Sequence, residues 1–185
     1  MSLSLSFRSA WIHAAGALAA LTLTVVYPGA SFAALSVPVG VEQLSPAESD
    51  VLHRLNDARQ AAGIPPVTAA STIDAIARGR SDDMASRNYF AHEIPGCSAL
   101  LDRCNVLGIL DSRHISYHWA GEILEWNLFL TRFDQEQADA MAVEDFMRSP
   151  LHRAILLDPR YTEAGVGVGL GPDKKMLLTV VFLQT

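Results

Sequence analysis

Cysteine is scarce in this sequence, since Cys97 and Cys104 are the only two among 185 residues. At most one disulfide can form within the chain, and a zinc site made of these two thiolates alone would lack two ligands. A continuous helix between them would hold their Cα atoms about 10 Å apart, beyond the limit of roughly 7 Å for a disulfide. We therefore expect a disulfide in an exported chain, together with an interrupted helix.

Basic residues are outnumbered, with 14 Lys and Arg against 20 Asp and Glu and a formal net charge of −6. No basic stripe with interleaved aromatic residues occurs along the chain. Proteins that neutralise nucleic-acid phosphates need such a stripe, so nucleic acid is excluded as a partner.

Two catalytic motifs are also absent. His92-Glu93 is followed by Ile94-Pro95-Gly96, so the HExxH zinc motif does not form. No GxSxG sequence occurs, which excludes the nucleophile elbow of α/β-hydrolases. Neither of these two motifs therefore supports a hydrolase.

The N-terminus carries the one long apolar run. Arg8 precedes the apolar stretch 10–27, and the small residues at 30–33 match what a signal peptidase recognises. We interpret residues 1–33 as a signal peptide cleaved after Ala33, which predicts a secreted or periplasmic protein without a stable membrane anchor. A retained anchor is the alternative, although His13 and Gly16 within the run and Gly29 just beyond it weaken this interpretation. No cysteine follows the run, so a lipoprotein anchor is excluded.

Residues 34–44 show no helical period and are predicted to be a linker, and residues 45–185 are predicted to form one domain. Ser45, Pro46 and Glu48 make a capping box at the start of a first helix. A second helix is predicted from Ser71, with Asp74 as its box partner.

The middle of the domain has weaker patterns. Residues 97–107 are predicted to be a short helix that stops at Gly108. Alternating aromatic and β-branched residues from Ile115 to Trp119 favour a strand. Asp134 is predicted to cap a further helix, with Gln137 in the box position.

The C-terminus is predicted to be a β-hairpin. Valines and glycines alternate over 164–170, a turn follows, and residues 176–183 form an apolar run that needs cover on both faces. Glycines opposite the valines allow a helix to pack close to the sheet. The predicted fold is α+β, a three-layer α/β/α sandwich with a small, mostly antiparallel sheet.

Three polar positions stand out as candidate site residues. His152 lies in the first turn of a short helix that Ser149 is predicted to cap, with Pro150 at the first helical position. The positive end of that helix favours a neutral imidazole. His92 lies in a loop beyond the second helix, and Glu122 lies among large apolar residues, where a carboxylate needs a partner. Either histidine could instead be an ordinary surface side chain.

Several short segments follow one another along the chain: Leu55–Arg59 with Gly63, Phe90–His92, Gly121–Glu122, Ser149–Leu156, Tyr161 and Gly165–Val168. In this order they resemble the bacterial branch of the CAP superfamily, which includes cysteine-rich secretory proteins, venom antigens and pathogenesis-related proteins. The resemblance covers about residues 45–185.

The resemblance implies an extracellular α/β/α sandwich with a cleft lined by His92, Glu122, His152 and Ser149, which in some members of the superfamily binds a divalent metal. Ile123 stands where the family usually has asparagine, and Ser149 stands where eukaryotic members have a second acidic residue. Three candidate ligands for zinc or another divalent metal therefore remain: His92, Glu122 and His152.

Three functions follow as alternatives. The resemblance favours a non-catalytic binding or effector module for a lipid, a sterol or a cell-wall glycan. The three metal-ligand candidates allow a zinc-dependent hydrolase with an open coordination position. A serine nucleophile at Ser149 with His152 as its base is disfavoured, because a capping hydroxyl is already engaged. We expect no conventional catalysis, and Trp119 and Trp126 are interpreted as core or cleft wall.

Overall fold

The structure is a computed structural model that describes residues 43–97, 103–128, 135–172 and 175–185. The predicted signal peptide at 1–33, nearly all of the predicted linker at 34–44, and the predicted cap Asp134 lie outside the described residues. In the described part of the chain, no helix is long and apolar enough to cross a membrane.

The described residues form five helices and four strands. In chain order they are α1 (Pro46–Ala61), β1 (Thr68–Ala69), α2 (Ser71–Arg87), α3 (Val106–Ser112), β2 (Trp119–Leu128), α4 (Gln135–Arg148), α5 (Pro150–Leu156), β3 (Glu163–Leu170) and β4 (Lys175–Gln184).

The four described strands form one sheet in the order β1-β3-β4-β2. β4 pairs antiparallel with both β2 and β3, and β1 pairs parallel with β3. Alternate residues of β4 point to opposite faces, so Val180 packs with α1, α4 and α5, whereas Val181 packs with α2 and α3. The sheet therefore lies between two helical layers, and the predicted α/β/α sandwich is confirmed.

The glycines of β3 bring α2 unusually close to the sheet. A Cβ atom at Gly167 would lie 2.1 Å from the backbone of Ala77 and Arg78, and one at Gly165 would lie 2.2 Å from Ile73. Real Cβ atoms do not approach a backbone this closely. The predicted close packing of a helix on the glycine face is therefore confirmed, and the helix is α2.

A matched pair of glycine substitutions tests this packing. Gly167→Ala is expected to lower the free energy of unfolding by about 1–3 kcal/mol, because the new methyl group must push α2 away from β3. Gly79→Ala on α2 itself meets nothing within 4 Å and should raise that free energy by about 0.5–1 kcal/mol, because alanine favours a helix interior. Urea unfolding of both variants measures the two changes, and similar effects of both would contradict the close packing.

Among the predicted caps that lie in the described residues, one forms its predicted side-chain hydrogen bonds. Ser45 and Glu48 form the predicted capping box of α1, with reciprocal hydrogen bonds of 3.3 and 2.8 Å. The predicted box of α2 is wrong, since Ala70 occupies the cap position without a side-chain bond. Asp74 instead accepts a hydrogen bond of 3.0 Å from the backbone N–H of Val166. A buried strand amide needs an acceptor, and that need decides the orientation of Asp74.

The segment before β2 differs from the prediction in two places. α3 begins after Asn105, whose side chain accepts from the backbone of Leu107 and Gly108, so Gly108 lies inside the helix rather than after it. Gly108 is needed for close packing, because a Cβ there would collide with the carbonyl of Arg103. The predicted strand from Ile115 begins only at Trp119.

Asp139 on α4 is a buried carboxylate with little to stabilise its charge. Its side chain is 1% exposed, and Gln135 donates to it at 2.7 Å. Burial raises its pKa to about 6 from 3.8; the Gln135 bond opposes this shift, Asp50 adds to it and Arg54 opposes it. The native state therefore holds a proton on Asp139 at a pH where the unfolded chain has lost it.

The raised pKa of Asp139 predicts that this residue stabilises the fold more at acidic pH than at neutral pH. The raised pKa in the folded state means that the contribution of Asp139 to the free energy of unfolding should increase as pH falls from about 7 towards 4, by an amount on the order of 1–3 kcal/mol. Asp139→Asn should remove this increase, because the amide is neutral throughout. Urea unfolding at several pH values measures the effect, with the exposed Asp82→Asn as control; an unchanged pH profile in Asp139→Asn would contradict the assignment.

Candidate functional site

The candidate site centres on a histidine held by a carboxylate. His92 lies in the loop after α2, and its Nδ1 atom lies 2.8 Å from Oε2 of Glu122 on β2. Glu122 is only 7% exposed, whereas the His92 side chain is more than half exposed. A carboxylate can only accept a hydrogen bond, so Nδ1 carries the proton in the neutral ring. The lone pair on Nε2 is then the acceptor that His92 offers.

The other oxygen of Glu122 is bound by an arginine that the sequence patterns did not single out. Arg80 on α2 is 2% exposed, and its Nε donates to Oε1 of Glu122 at 2.9 Å. Arg80 lies on the same helix face as the buried Ile76 and Ala77. A cation on an apolar helix face needs a buried partner, and that signal could have identified the pair.

Arg80 also binds the loop that carries His92. Its Nη1 donates to the hydroxyl of Tyr89 at 2.9 Å, and its Nη2 donates to the carbonyl of Ala91 at 2.8 Å. Tyr89 in turn donates to Asp83 at 2.5 Å. Burial alone would lower the pKa of Arg80, but the hydrogen bond and charge of Glu122 raise it above its usual range. The guanidinium therefore stays charged at the base of the site.

His152 is placed near His92 but in a different environment. Its ring packs edge-on against Phe146, with centroids 5.4 Å apart, and its Nδ1 is buried without a hydrogen-bond partner among the described residues. Burial lowers the pKa of His152, and the nearby charge of His92 lowers it further. A neutral ring was expected from the helix terminus, and the physical cause found here is desolvation.

A cleft of about 280 Å³ opens beside the His92–Glu122 pair. Its lining consists of His92, Asn105, Val106, Leu107, Ala120, Gly121 and Glu122. One wall is the loop with His92 and the other is α3, and the disulfide between Cys97 and Cys104, with Cα atoms 5.7 Å apart, joins the two walls. His152 is not part of this lining.

Gly121 leaves room for the Tyr161 side chain to reach β2 next to Glu122. A Cβ atom at Gly121 would lie 2.6 Å from the Tyr161 hydroxyl oxygen. Alternation along β2 then directs Glu122 to the α2 side and Ile123 into the core on the other side. Ile123, at the position of the family's asparagine, therefore faces away from Glu122.

Ser149 occupies the cap position of α5, with Pro150 as the first helical residue, as predicted. Its side chain makes no capping hydrogen bond, however, so the predicted role of its hydroxyl is wrong. α5 follows α4 directly, and the backbone N–H of Ser149 still bonds to the carbonyl of Asp145 at 3.0 Å. This helical hydrogen bond fixes the backbone of Ser149 at the junction between α4 and α5.

The two serine caps predict different mutational effects. Ser149→Ala is expected to change the free energy of unfolding by less than about 0.5 kcal/mol, because no capping bond is lost. Ser45→Ala is expected to cost about 1 kcal/mol, because it removes a formed capping box. Thermal or urea unfolding measures both, and a larger loss for Ser149→Ala than for Ser45→Ala would contradict the cap geometry.

The side chains of the site do not form a metal-binding cluster among the described residues. Within the described residues, no group of three or more His, Cys, Asp or Glu side chains is arranged to hold one. Both oxygens of Glu122 are engaged, by Arg80 and by His92. As they stand, the residues do not fit a three-ligand zinc centre. Zinc or other metal binding by His92, Glu122 and His152 stays a prediction.

Comparison with known sequences decides the family. The CAP family of cysteine-rich secretory proteins matches residues 52–184. The chain belongs to the CAP family. Among curated relatives, the uncharacterized protein YkwD of Bacillus subtilis is 32% identical over 120 residues, which are 65% of this chain and 41% of YkwD. The matched part of the chain thus spans less than half the length of that relative.

Solved structures of similar fold support the sandwich architecture. An extracellular protein with an SCP domain from Bacillus anthracis has a TM-score of 0.59 at 22% identity, covering 78% of this chain and 45% of that one. An outer surface protein from Borrelia burgdorferi has a TM-score of 0.59 at 13% identity, covering 77% of this chain and 96% of that one. This CAP domain therefore shares its sandwich with bacterial extracellular proteins.

Proposed function

We propose that this CAP domain is a secreted, non-catalytic binding module whose cleft beside His92 binds an amphipathic ligand of the lipid or sterol class. The observation that carries the proposal is the composition of the cleft. Leu107 and Ala120 offer an apolar surface over the buried Val106, whereas His92 and Asn105 offer polar groups at the same opening. Pockets of this kind bind a ligand by its apolar part and orient it by a few polar contacts.

The engaged carboxylate supports binding rather than hydrolysis. Glu122 offers neither a free oxygen to a metal nor a free base to a water molecule while Arg80 and His92 occupy its two oxygens. A zinc-dependent hydrolase would need those groups. The metal prediction is tested by elemental analysis and zinc titration of the wild type, His92→Ala and His152→Ala.

The predicted signal peptide and the bacterial extracellular relatives support export. A cell-wall glycan is the other ligand class that an exported module could meet. Sugars commonly stack on exposed aromatic rings, and Trp119 and Trp126 are 49% and 42% exposed rather than core. Cations already lie over both rings, Arg160 at 3.9 Å from the Trp119 centroid and Lys175 at 4.9 Å from that of Trp126. The lipid class is therefore favoured.

Vesicle binding tests the proposal. The protein should cosediment with vesicles of phosphatidylethanolamine and phosphatidylglycerol, with or without a chelator. Leu107→Glu should weaken this binding by about tenfold or more, because it places a charge on the apolar wall. Leu170→Glu, at a residue 62% exposed and outside the cleft lining, is the matched control and should bind like the wild type.

A parallel assay with insoluble peptidoglycan separates the ligand classes. Binding to peptidoglycan but not to vesicles would show that the lipid assignment is wrong. Binding to neither, or equal losses in the two leucine variants, would contradict the assignment of the cleft as the binding site.

A further inference from the structure

We propose that Arg80 is the positioning residue of this cleft, which fixes the His92–Glu122 pair in one orientation without itself contacting a ligand. The orientation of His92 determines which ring nitrogen a ligand meets. The effect of Arg80 on ligand binding therefore rests on the proposed function. The geometric basis of the positioning role is independent of any ligand.

Arg80 holds His92 at two separate points. Through Glu122 it acts on the imidazole, since the carboxylate that accepts from Nε of Arg80 at 2.9 Å also lies 2.8 Å from Nδ1 of His92. Through Nη2 it binds the backbone carbonyl of His92 itself at 3.2 Å. A ring fixed at its Nδ1 and at its own peptide group has little freedom to turn.

The acceptors around Arg80 require a planar guanidinium. All three nitrogens of Arg80 donate, in the fixed directions of a fork, to a carboxylate on β2, to Tyr89 and to the carbonyls of Ala91 and His92. A lysine ammonium carries the same charge on one flexible nitrogen and cannot reach these acceptors together. Charge alone would therefore not reproduce the contact pattern.

Stability alone does not account for the pair. The side chains of Arg80 and Glu122 are 1% and 4% exposed. A buried ion pair gains little net stability, because removing two charges from water offsets their attraction, and apolar residues often replace such pairs without loss. What apolar residues could not provide is a carboxylate that keeps the proton of His92 on Nδ1 and leaves Nε2 as an acceptor.

Arg59 provides a matched control within the same fold. It is also fully buried, on α1, and it donates to the carbonyls of Pro65, Leu156 and Tyr161 at 2.9, 2.7 and 3.1 Å. Its partners are backbone groups that join α1 to the loops around α5, and they do not include His92 or Glu122. Its removal should therefore reduce stability without changing the His92 tautomer.

The tautomer of His92 is the decisive readout. We would record long-range ¹H–¹⁵N spectra of the labelled protein at alkaline pH, where imidazole is neutral, and assign His92 with a His92→Gln variant. The wild type should show His92 protonated on Nδ1. Arg80→Met and Arg80→Lys should both convert that form from the dominant to the minor one, whereas Arg59→Met and Arg59→Lys should leave it dominant.

Three results would overturn the proposal: a wild type protonated on Nε2, Arg80 variants that keep the Nδ1 form, or Arg59 variants that lose it to the same extent. If Arg80→Met does not fold, Arg80→Lys, which keeps the charge and nearly the volume, decides the question. The spectra need no ligand, so a failure of vesicle binding with the expected tautomer shift would remove the proposed function and leave the role of Arg80 intact.

Discussion

The contact between α2 and the glycines of β3 is the constraint on which the rest of this structure depends. Without side chains at Gly165 and Gly167, the backbone of α2 lies against the strand at a distance that no other residue would allow. That distance places Arg80 over the sheet, where it reaches Glu122 two strands away on β2. A feature that looks like simple packing therefore sets the geometry of a polar site.

The polar site is built from the inside outwards. A charged guanidinium lies at its base, a carboxylate lies above it, and the imidazole of His92 lies at the surface. Each group forms a hydrogen bond with the one before it, so no charge in this series is buried without a partner. The result resembles the carboxylate–imidazole pairs that set the tautomer and the orientation of a histidine ring.

Much of the architecture could be predicted from the sequence because its signals are local. The capping box at Ser45, the alternation of valine and glycine before the last strand, and the apolar run over 176–183 each depend on residues that are neighbours in the chain. Predictions from local sequence patterns were wrong where a group outside the pattern competed for the same residue. Asp74 looked like a cap, but its carboxylate accepts from the N–H of Val166, and Gly108 looked like a helix stop, but it was needed against Arg103.

The candidate site also has some features that the sequence predicts and others that depend on tertiary contacts. The sequence by itself determined the residue types, the close helix–strand packing, and a resemblance specific enough to bring His92, Glu122 and His152 together as candidates. Only the tertiary structure decided that Glu122 is shared between Arg80 and His92, while His152 packs against Phe146 outside the cleft lining. The physical reason is that a buried carboxylate takes the partners that its three-dimensional surroundings supply, and Arg80 is 42 positions away in the chain.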